Sequence, residues 1–492
     1  MRLAFGLILP VVLGSAWACQ SAGLDCVQAP EFGQCTAAGT DGGVDVDGGP
    51  DVVAPPGCDM TKSPKDSAPC VDDSVGVFVA PSGDDGATGK KLAPVKSVAK
   101  GIEVAASRGL PRVYVCEGTY DAAAEVKAPV ALYGGLSCAW AYTGTKPKLA
   151  PAKSIALRVT KVGGAVVVED FEVVGAADPN TPGDSAIAVF ASESANVSFR
   201  NVTLTAGPGT AGSKGASRTN YAGAATKGAN GSGATAGVTT PCTCTDGTTS
   251  TGGAGASGAG AGIQNGSANP TVGGANAGST SATTCTDGQP GASGMAAAAG
   301  TSSASPGTLS SAGWDGSATA ANAPNGNPAQ GGGGGGAKTD VTSAGGGGGC
   351  GGCGGAGGAR GTNGGSSFAL LSFNSTVAIE GASVVTSGAG GRGGDGGDGQ
   401  VGQSAGGAGT GPACNGGAGG NGAGGSGGGG GTGGHSAPVA FVGNEPRSSG
   451  ATVTPGTKGG IGGGGAPGAG PGNPGTGGTP GPEGKAQNSL AL

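Results

Sequence analysis

Four short blocks of this chain repeat one another across long glycine-rich intervals, and that recurrence constrains the fold more than any other feature. Residues 154–175 align with 185–206 and then with 366–387; a fourth block, 436–455, has two residues fewer between its strands. Leu157, Ala188, Phe368 and Val439 form one aligned column, and Val159, Phe190, Leu370 and Phe441 the next. Val168, Phe199 and Ile379 make a third; Val173, Leu204, Val384 and Val453 make a fourth. All four columns are apolar, as an interior requires if each block is one coil of a parallel solenoid with strands about 4.8 Å apart. Between the third and fourth columns the two-residue alternation slips, so a corner belongs there. Asp170, Asn201 and Gly381 fill it, and these residue types accept left-handed backbone. Beside them Glu169, Arg200 and Glu380 form an outward column of alternating sign, which stacking would arrange with Arg200 between two carboxylates.

The intervals share one point of departure. A short loop, 175–184, follows the first block; tracts 206–365 and 388–434 follow the next two, and a Gly/Pro-rich tail, 456–492, follows the last. The expectation is that all glycine-rich segments leave one edge of the solenoid and form a single appendage. Glycine supplies 117 of 492 residues and aromatics only 3%, too few large side chains for several packed cores. Such tracts bury little apolar area against their ordering entropy, so disorder is expected of them. Runs such as GAGGRGGDGG, with glycine at two of three positions, fit packed polyglycine-type helices as the ordered alternative.

The N-terminus reads as an export signal over 1–18: Met1-Arg2, an apolar run from Leu3 to Leu13 too short to span a bilayer, then Ala16-Trp17-Ala18. Cys19 follows at once, a placement that resembles a bacterial lipobox and implies lipidation of Cys19. Residues 19–75 read as a cysteine-containing acidic tether, with 39–57 a solvated linker. With Cys19 acylated, twelve cysteines remain, which suits disulfides in an oxidising compartment. Cys26/Cys35, Cys58/Cys70 and Cys116/Cys138 are neighbours in order; Cys242, Cys244, Cys285, Cys350, Cys353 and Cys414 lie in or between the glycine-rich tracts, and spacing leaves their pairing open.

Order is expected from residue 76. Val77-Phe78-Val79 reads as a strand, 81–86 as a turn, and Val95, Val98, Ala99, Ile102, Ala105 and Ala106 recur at helical spacing up to Gly109. Val113-Tyr114-Val115 and Val130-Ala131-Leu132-Tyr133 are further strands. The series VFVAPSGDDGATG, helix, VYVCEGTY, VALYGG resembles the opening of pectin-lyase-like right-handed parallel β-helix proteins, over about residues 76–205. The resemblance implies that the short helix caps one end of the solenoid and that Gly118-Thr119-Tyr120 opens the first coil. The glycine-rich remainder is similar in composition to exported proteins of myxobacterial type and to the PGRS-like surface proteins of mycobacteria. The fold class expected is therefore all-β: a right-handed parallel β-helix with a short N-terminal capping helix and long glycine-rich insertions. Its segments are a cap and first coils over 76–205, an insertion over 206–365, a coil at 366–387, an insertion over 388–434, the last coil at 435–455 and the tail.

The net charge of −6, or −7 once Arg2 leaves with the signal, and the lack of a Lys/Arg cluster argue against nucleic acid as a partner. His435 is the sole histidine and has no acid or serine motif beside it. Cys350-x-x-Cys353 could hold zinc, but an exported chain favours disulfides. Residues 393–401 (GGDGGDGQV) partly match the calcium-binding glycine-rich nonapeptide, with Gln400 where an apolar residue belongs. The β-helix resemblance raises a polysaccharide lyase or hydrolase, for which Glu169, Asp170, Glu172, Glu193 and Glu380, with Arg158 and Arg200, are the acids and bases on offer. Corner chemistry and the alternating column account for several of these. The expectation is a non-enzymatic structural or interaction protein at the cell surface or secreted, which presents a glycine-rich appendage from a β-helix base with extracellular polysaccharide or cell-envelope components as partners; the alternative is a carbohydrate-binding or polysaccharide-degrading β-helix protein. It would use no cofactor or metal, and a membrane only through its lipid.

Overall fold

The structure, a computed structural model, describes residues 52–153, 155–317 and 321–492. The export signal, Cys19, Cys26 and Cys35 lie outside the described residues.

Three parallel sheets of seven, six and six strands hold most of the β-structure. The chain visits them in rotation. Within one circuit, Ala165–Glu169 lies in the first sheet, Glu172–Gly175 in the next and Ala186–Ser192 in the third; Asn196–Arg200, Thr203–Ala206 and Ser367–Phe373 then stack on them in order. Val377–Glu380, Val384–Ser387 and Ser436–Val442 make the following circuit. The four aligned blocks are thus successive courses of one stack. Further strands, among them Arg112–Cys116, Thr119–Tyr120 and Ala124–Val126, extend the stack on the N-terminal side, so it is taller than four coils.

Buried Val168, Phe199 and Ile379 share one interior column, in register as the alignment requires. The corner behaves as its residues dictate: Asp170, Asn201 and Gly381 take φ of 57°, 49° and 66°. Arg200 pairs in register with Glu169 and with Glu380, but among the described residues its ion pair is to Glu380, at 3.0 Å. A second left-handed corner, Lys161, Glu193, Asn374 and Gly443, separates the third sheet from the first in each circuit.

Three of the aligned columns need correction. In the third sheet Leu157 pairs with Val189, Leu370 and Val439, so Ala188 and Phe368 are not its partners. Phe190 pairs with Arg158 and Leu371 and points away from the interior, into a separate cluster with Ile187, Phe368 and Ala440. In the neighbouring sheet Val385, not Val384, stacks on Leu204; Val385 is fully buried while Val384 is exposed. For the third sheet the cause is physical. Every residue of Ala186–Ser192 is buried, because Leu309 and Trp314 of an antiparallel hairpin cover the outer face of that sheet. A strand buried on both faces carries no alternation to fix its phase.

The helix Val98–Arg108 closes the N-terminal end. Ser97 accepts from the Lys100 N–H at 3.2 Å and Gly109 ends the helix at φ 66°. Val98, Ile102, Val104 and Ala105 turn into the core. Gly101 permits the close approach, since a Cβ there would lie 2.4 Å from Val79. Order also starts before residue 76. Val71 and Val75 are buried, and Val71 packs with Phe78, Tyr114 and Tyr133 outside the first sheet. Arg112 donates to the carbonyls of Met60 and Lys62, and Cys58–Cys70 closes this segment on itself.

Candidate functional site

The glycine-rich tracts are ordered, against the expectation from apolar area. They run out from the ends of strands 203–206, 384–387 and 452–454 and return to strands 367–373, 436–442 and 489–491. All of them therefore depart from one corner of the stack. The tail returns as well: Ser489–Ala491 pairs in parallel with Ser436–Val442, so residues 436–455 are not the last course of that sheet.

Hydrogen bonds between tracts recur every third residue. Gly391, Gly394 and Gly397 donate to Gly365, Thr362 and Ala359 at 2.7, 2.9 and 2.8 Å, while Gly390, Gly393 and Gly396 donate to Thr457, Gly460 and Gly463 at 2.8, 2.9 and 2.8 Å. Three residues per turn with no internal bonds is the polyproline II geometry of polyglycine. The third position of each turn, here Arg392, Asp395 and Asp398, faces outward and carries a side chain. Tract 344–366 is enclosed. Its amides donate to 414–434 (Gly349 to Gly417), to 207–231 (Thr362 to Ser213) and to 252–258 (Gly348 to Gly253). Gly345–Gly355 is buried throughout, in an interior made of backbone. A Cβ at Gly354 would lie 1.8 Å from the Gly326 carbonyl oxygen. At a rise of about 3.1 Å per residue, the bonded span 390–409 extends roughly 60 Å.

Where a neighbouring carbonyl is missing, a side chain replaces it. Asn220 Oδ1 accepts from the Val401 N–H (2.9 Å), Asn230 Oδ1 from Thr410 (3.0 Å) and Gln400 Oε1 from Ala356 (2.8 Å). Asp395 and Asp398, the aspartates of the partial calcium motif, accept from Gly463 and Ala466 and pair with Arg392 and Lys214. Their oxygens are committed to the lattice.

Three disulfides tie the lattice: Cys242–Cys350, Cys244–Cys353 and Cys285–Cys414. Cys350 and Cys353 thus go to different partners on one hairpin, Thr240–Thr243 with Thr249–Gly252. Cys116–Cys138 joins the neighbours on the stack. Five disulfides among the described residues suit an oxidising, extracellular environment. No helix among them is long and apolar enough to cross a membrane.

Four of the sequence acids, Glu169, Asp170, Glu172 and Glu380, fall at the corner between the first two sheets. Asp170 is buried and accepts from the Tyr142 hydroxyl at 3.0 Å and from the Asn201 amide. Burial raises the Glu169 carboxyl above its ordinary range and pushes Tyr142 up to about 12, Asp170 adding to the latter. Lys146 is lowered by burial, and its Nζ lies 3.3 Å from Thr203 Oγ1. Glu172 is paired with Lys148 at 2.9 Å and Glu380 with Arg200; Glu193 sits in the other corner, 3.9 Å from Lys161. Arg158 lies over the Phe190 ring. Sequence reading missed Tyr142 and Lys146, which come from the 137–147 loop and share no column with the repeat.

His435 marks the junction of lattice and stack. It is buried, its Nδ1 accepts from the Lys485 N–H at 2.9 Å, and burial holds its pKa down at about 4. The far end of the stack holds a cavity of about 730 Å³ lined by Val439, Glu445, Arg447, Val453 and Asn488. Short edge strands, Arg447–Ser449 and Thr452–Thr454, with Pro446 alongside, blunt that end against strand addition. Comparison with known proteins gives no match: no family model, curated sequence or solved structure aligns with the chain.

Proposed function

We propose that this is an exported surface protein with a structural or interaction role, in which a β-helix base carries a stiff slab of polyglycine helices outward. The observation that supports it is the three-residue hydrogen-bond lattice, which turns side chains such as Arg392, Asp395 and Asp398 outward at every third position. A right-handed, pectin-lyase-like coil is the reading for the base, since crossovers between parallel strands of one sheet are right-handed in nearly all proteins. Cys19 is taken as the lipid anchor, and extracellular polysaccharide or envelope material as the partner. The test exposes the purified mature protein to envelope polysaccharides, with a matched protein in which the Cys285–Cys414 and hairpin disulfides are replaced by serine. Retention that falls with the lattice supports the reading; no retention by the native protein sinks it. Mass spectrometry of the mature N-terminus decides the anchor, an unmodified Cys19 ruling it out.

A second reading, polysaccharide cleavage, is favoured by one arrangement: Glu169, Asp170 and Glu172 share a corner with Lys146 and Tyr142. A screen of uronic-acid polymers with and without calcium separates the two. Turnover lost in a Lys146→Ala variant would overturn the structural reading.

A further inference from the structure

We propose that the Asn-Gly steps of the tracts are latent deamidation sites, held unreacted by the lattice and released when its distal end opens. There are six: Asn230-Gly231, Asn265-Gly266, Asn325-Gly326, Asn363-Gly364, Asn415-Gly416 and Asn421-Gly422. Glycine after asparagine is the most permissive sequence for this reaction, because no side chain hinders the attacking nitrogen. The glycine nitrogen gives up its proton and bonds to the asparagine Cγ. The C–N bond to the side-chain amide breaks, ammonia leaves, and a succinimide forms. Water then opens the ring to aspartate or isoaspartate. One water enters and one ammonia leaves, with no change of oxidation state.

Both reacting groups are tied at every site. The six glycine N–H groups donate to Thr410, Ala275, Gly355, Thr432, Gly409 and Gln403 at 2.8 to 2.9 Å. The six asparagine Oδ1 atoms accept backbone N–H groups at 2.8 to 3.3 Å, from Thr410, Ala277, Gly357, Thr432, Gly411 and Ala405. Ring closure requires both bonds to break and the extended threefold chain to fold back. Water is not limiting at the four exposed sites, Asn230, Asn265, Asn325 and Asn415. The lattice alone stands between these sites and reaction.

The consequence is directional. Isoaspartate adds a methylene to the backbone, which shifts the three-residue phase, and a carboxylate replaces a neutral amide. A transient opening becomes permanent. Asn415 adjoins Cys414, whose disulfide to Cys285 pins the distal turn, so that bond controls release.

The experiment follows each site by peptide mass mapping during incubation at mildly alkaline pH. It compares the intact full chain, a Cys285→Ser/Cys414→Ser variant and the urea-unfolded chain. The expected result is native rates at least about tenfold below those of the unfolded chain at all six sites. The variant should bring Asn415 and Asn230 towards the unfolded rate, with Asn363, beside the stack, still slow. Native rates equal to unfolded ones overturn the proposal, as does a variant in which Asn415 stays as slow as in the intact chain.

Discussion

Asn201 donates its side-chain amide to the carboxylate of Asp170 one course away, and both residues hold left-handed backbone. The corner thus satisfies a buried carboxylate with a group that the same strained turn positions. An Asn201→Ala variant loses the donor and keeps the strain. A hydrogen bond to a charged group contributes about 1.5–3 kcal/mol, and an L-residue in this region costs about 1–2 kcal/mol. The expected loss is about 2 kcal/mol by urea unfolding, with Asn201→Gly losing less because glycine relieves the backbone. Wild-type stability in both variants would remove the Asn201–Asp170 hydrogen bond from what holds the corner.

Acid should weaken the junction between lattice and stack through His435. Its folded pKa, about 4, lies below the ordinary 6.5, because burial and then Lys485 disfavour the imidazolium. The unfolded chain therefore binds more protons between those values. The contribution is complete above about 6.5 and is lost as pH falls through about 4, amounting to roughly 3 kcal/mol. His435→Gln should flatten the decline of stability over that window relative to wild type. Parallel declines would assign the proton to other groups.

Alanine should be ruinous or harmless in the tracts according to the face it occupies. Gly354→Ala meets a carbonyl oxygen at 1.8 Å, whereas a Cβ at Gly407 meets only the Lys227 side chain, at 3.6 Å. Gly354→Ala should cost about 3 kcal/mol or more, since the facing Gly326–Asn327 backbone must move. Gly407→Ala should stay within about 0.5 kcal/mol. Thermal unfolding of the two proteins checks this; equal effects would mean the tracts are not packed this closely.

Amide exchange should show the lattice directly. Amides of 345–365 and 416–434 should be protected to the same degree as those of the stacked strands, although they are enclosed by backbone of other tracts rather than by a hydrophobic core. Loss of the Cys285–Cys414 bond, which closes a loop of 129 residues, should release the distal amides first and leave those near Ser366 protected. Uniformly fast exchange in the intact protein would mean the tracts are unstructured in solution.

The stack was legible in the sequence where residue types are restrictive. Left-handed turns select Asp, Asn and Gly, and the half-exposed strands ending in Glu169, Arg200 and Glu380 alternate cleanly, so the corner and the Val168–Phe199–Ile379 column could be read together. The second corner escaped notice because Lys161 and Glu193 are unusual occupants of left-handed backbone. The Phe190 register was unreadable, since a hairpin over a hundred residues away covers its face. The tracts were misjudged for a different reason: a ledger of apolar area gives no weight to an interior stabilised by interlocking backbone hydrogen bonds. Their asparagines stand in for carbonyls, a role that composition does not show. At the charged corner, the acids were visible as columns, but Tyr142 and Lys146 arrive on a loop that the repeat does not contain.

The out-and-back path of each tract restricts how the slab can change length. Arm 390–409 is bonded along its run to arm 416–434 by pairs that advance three residues at a time. A single inserted residue would rotate every position beyond it by a third of a turn, bringing side chains into the backbone interior. Insertions and deletions are therefore tolerated as whole triplets, matched in both arms of a loop, and the reach of the protein can evolve only in steps of about 9 Å.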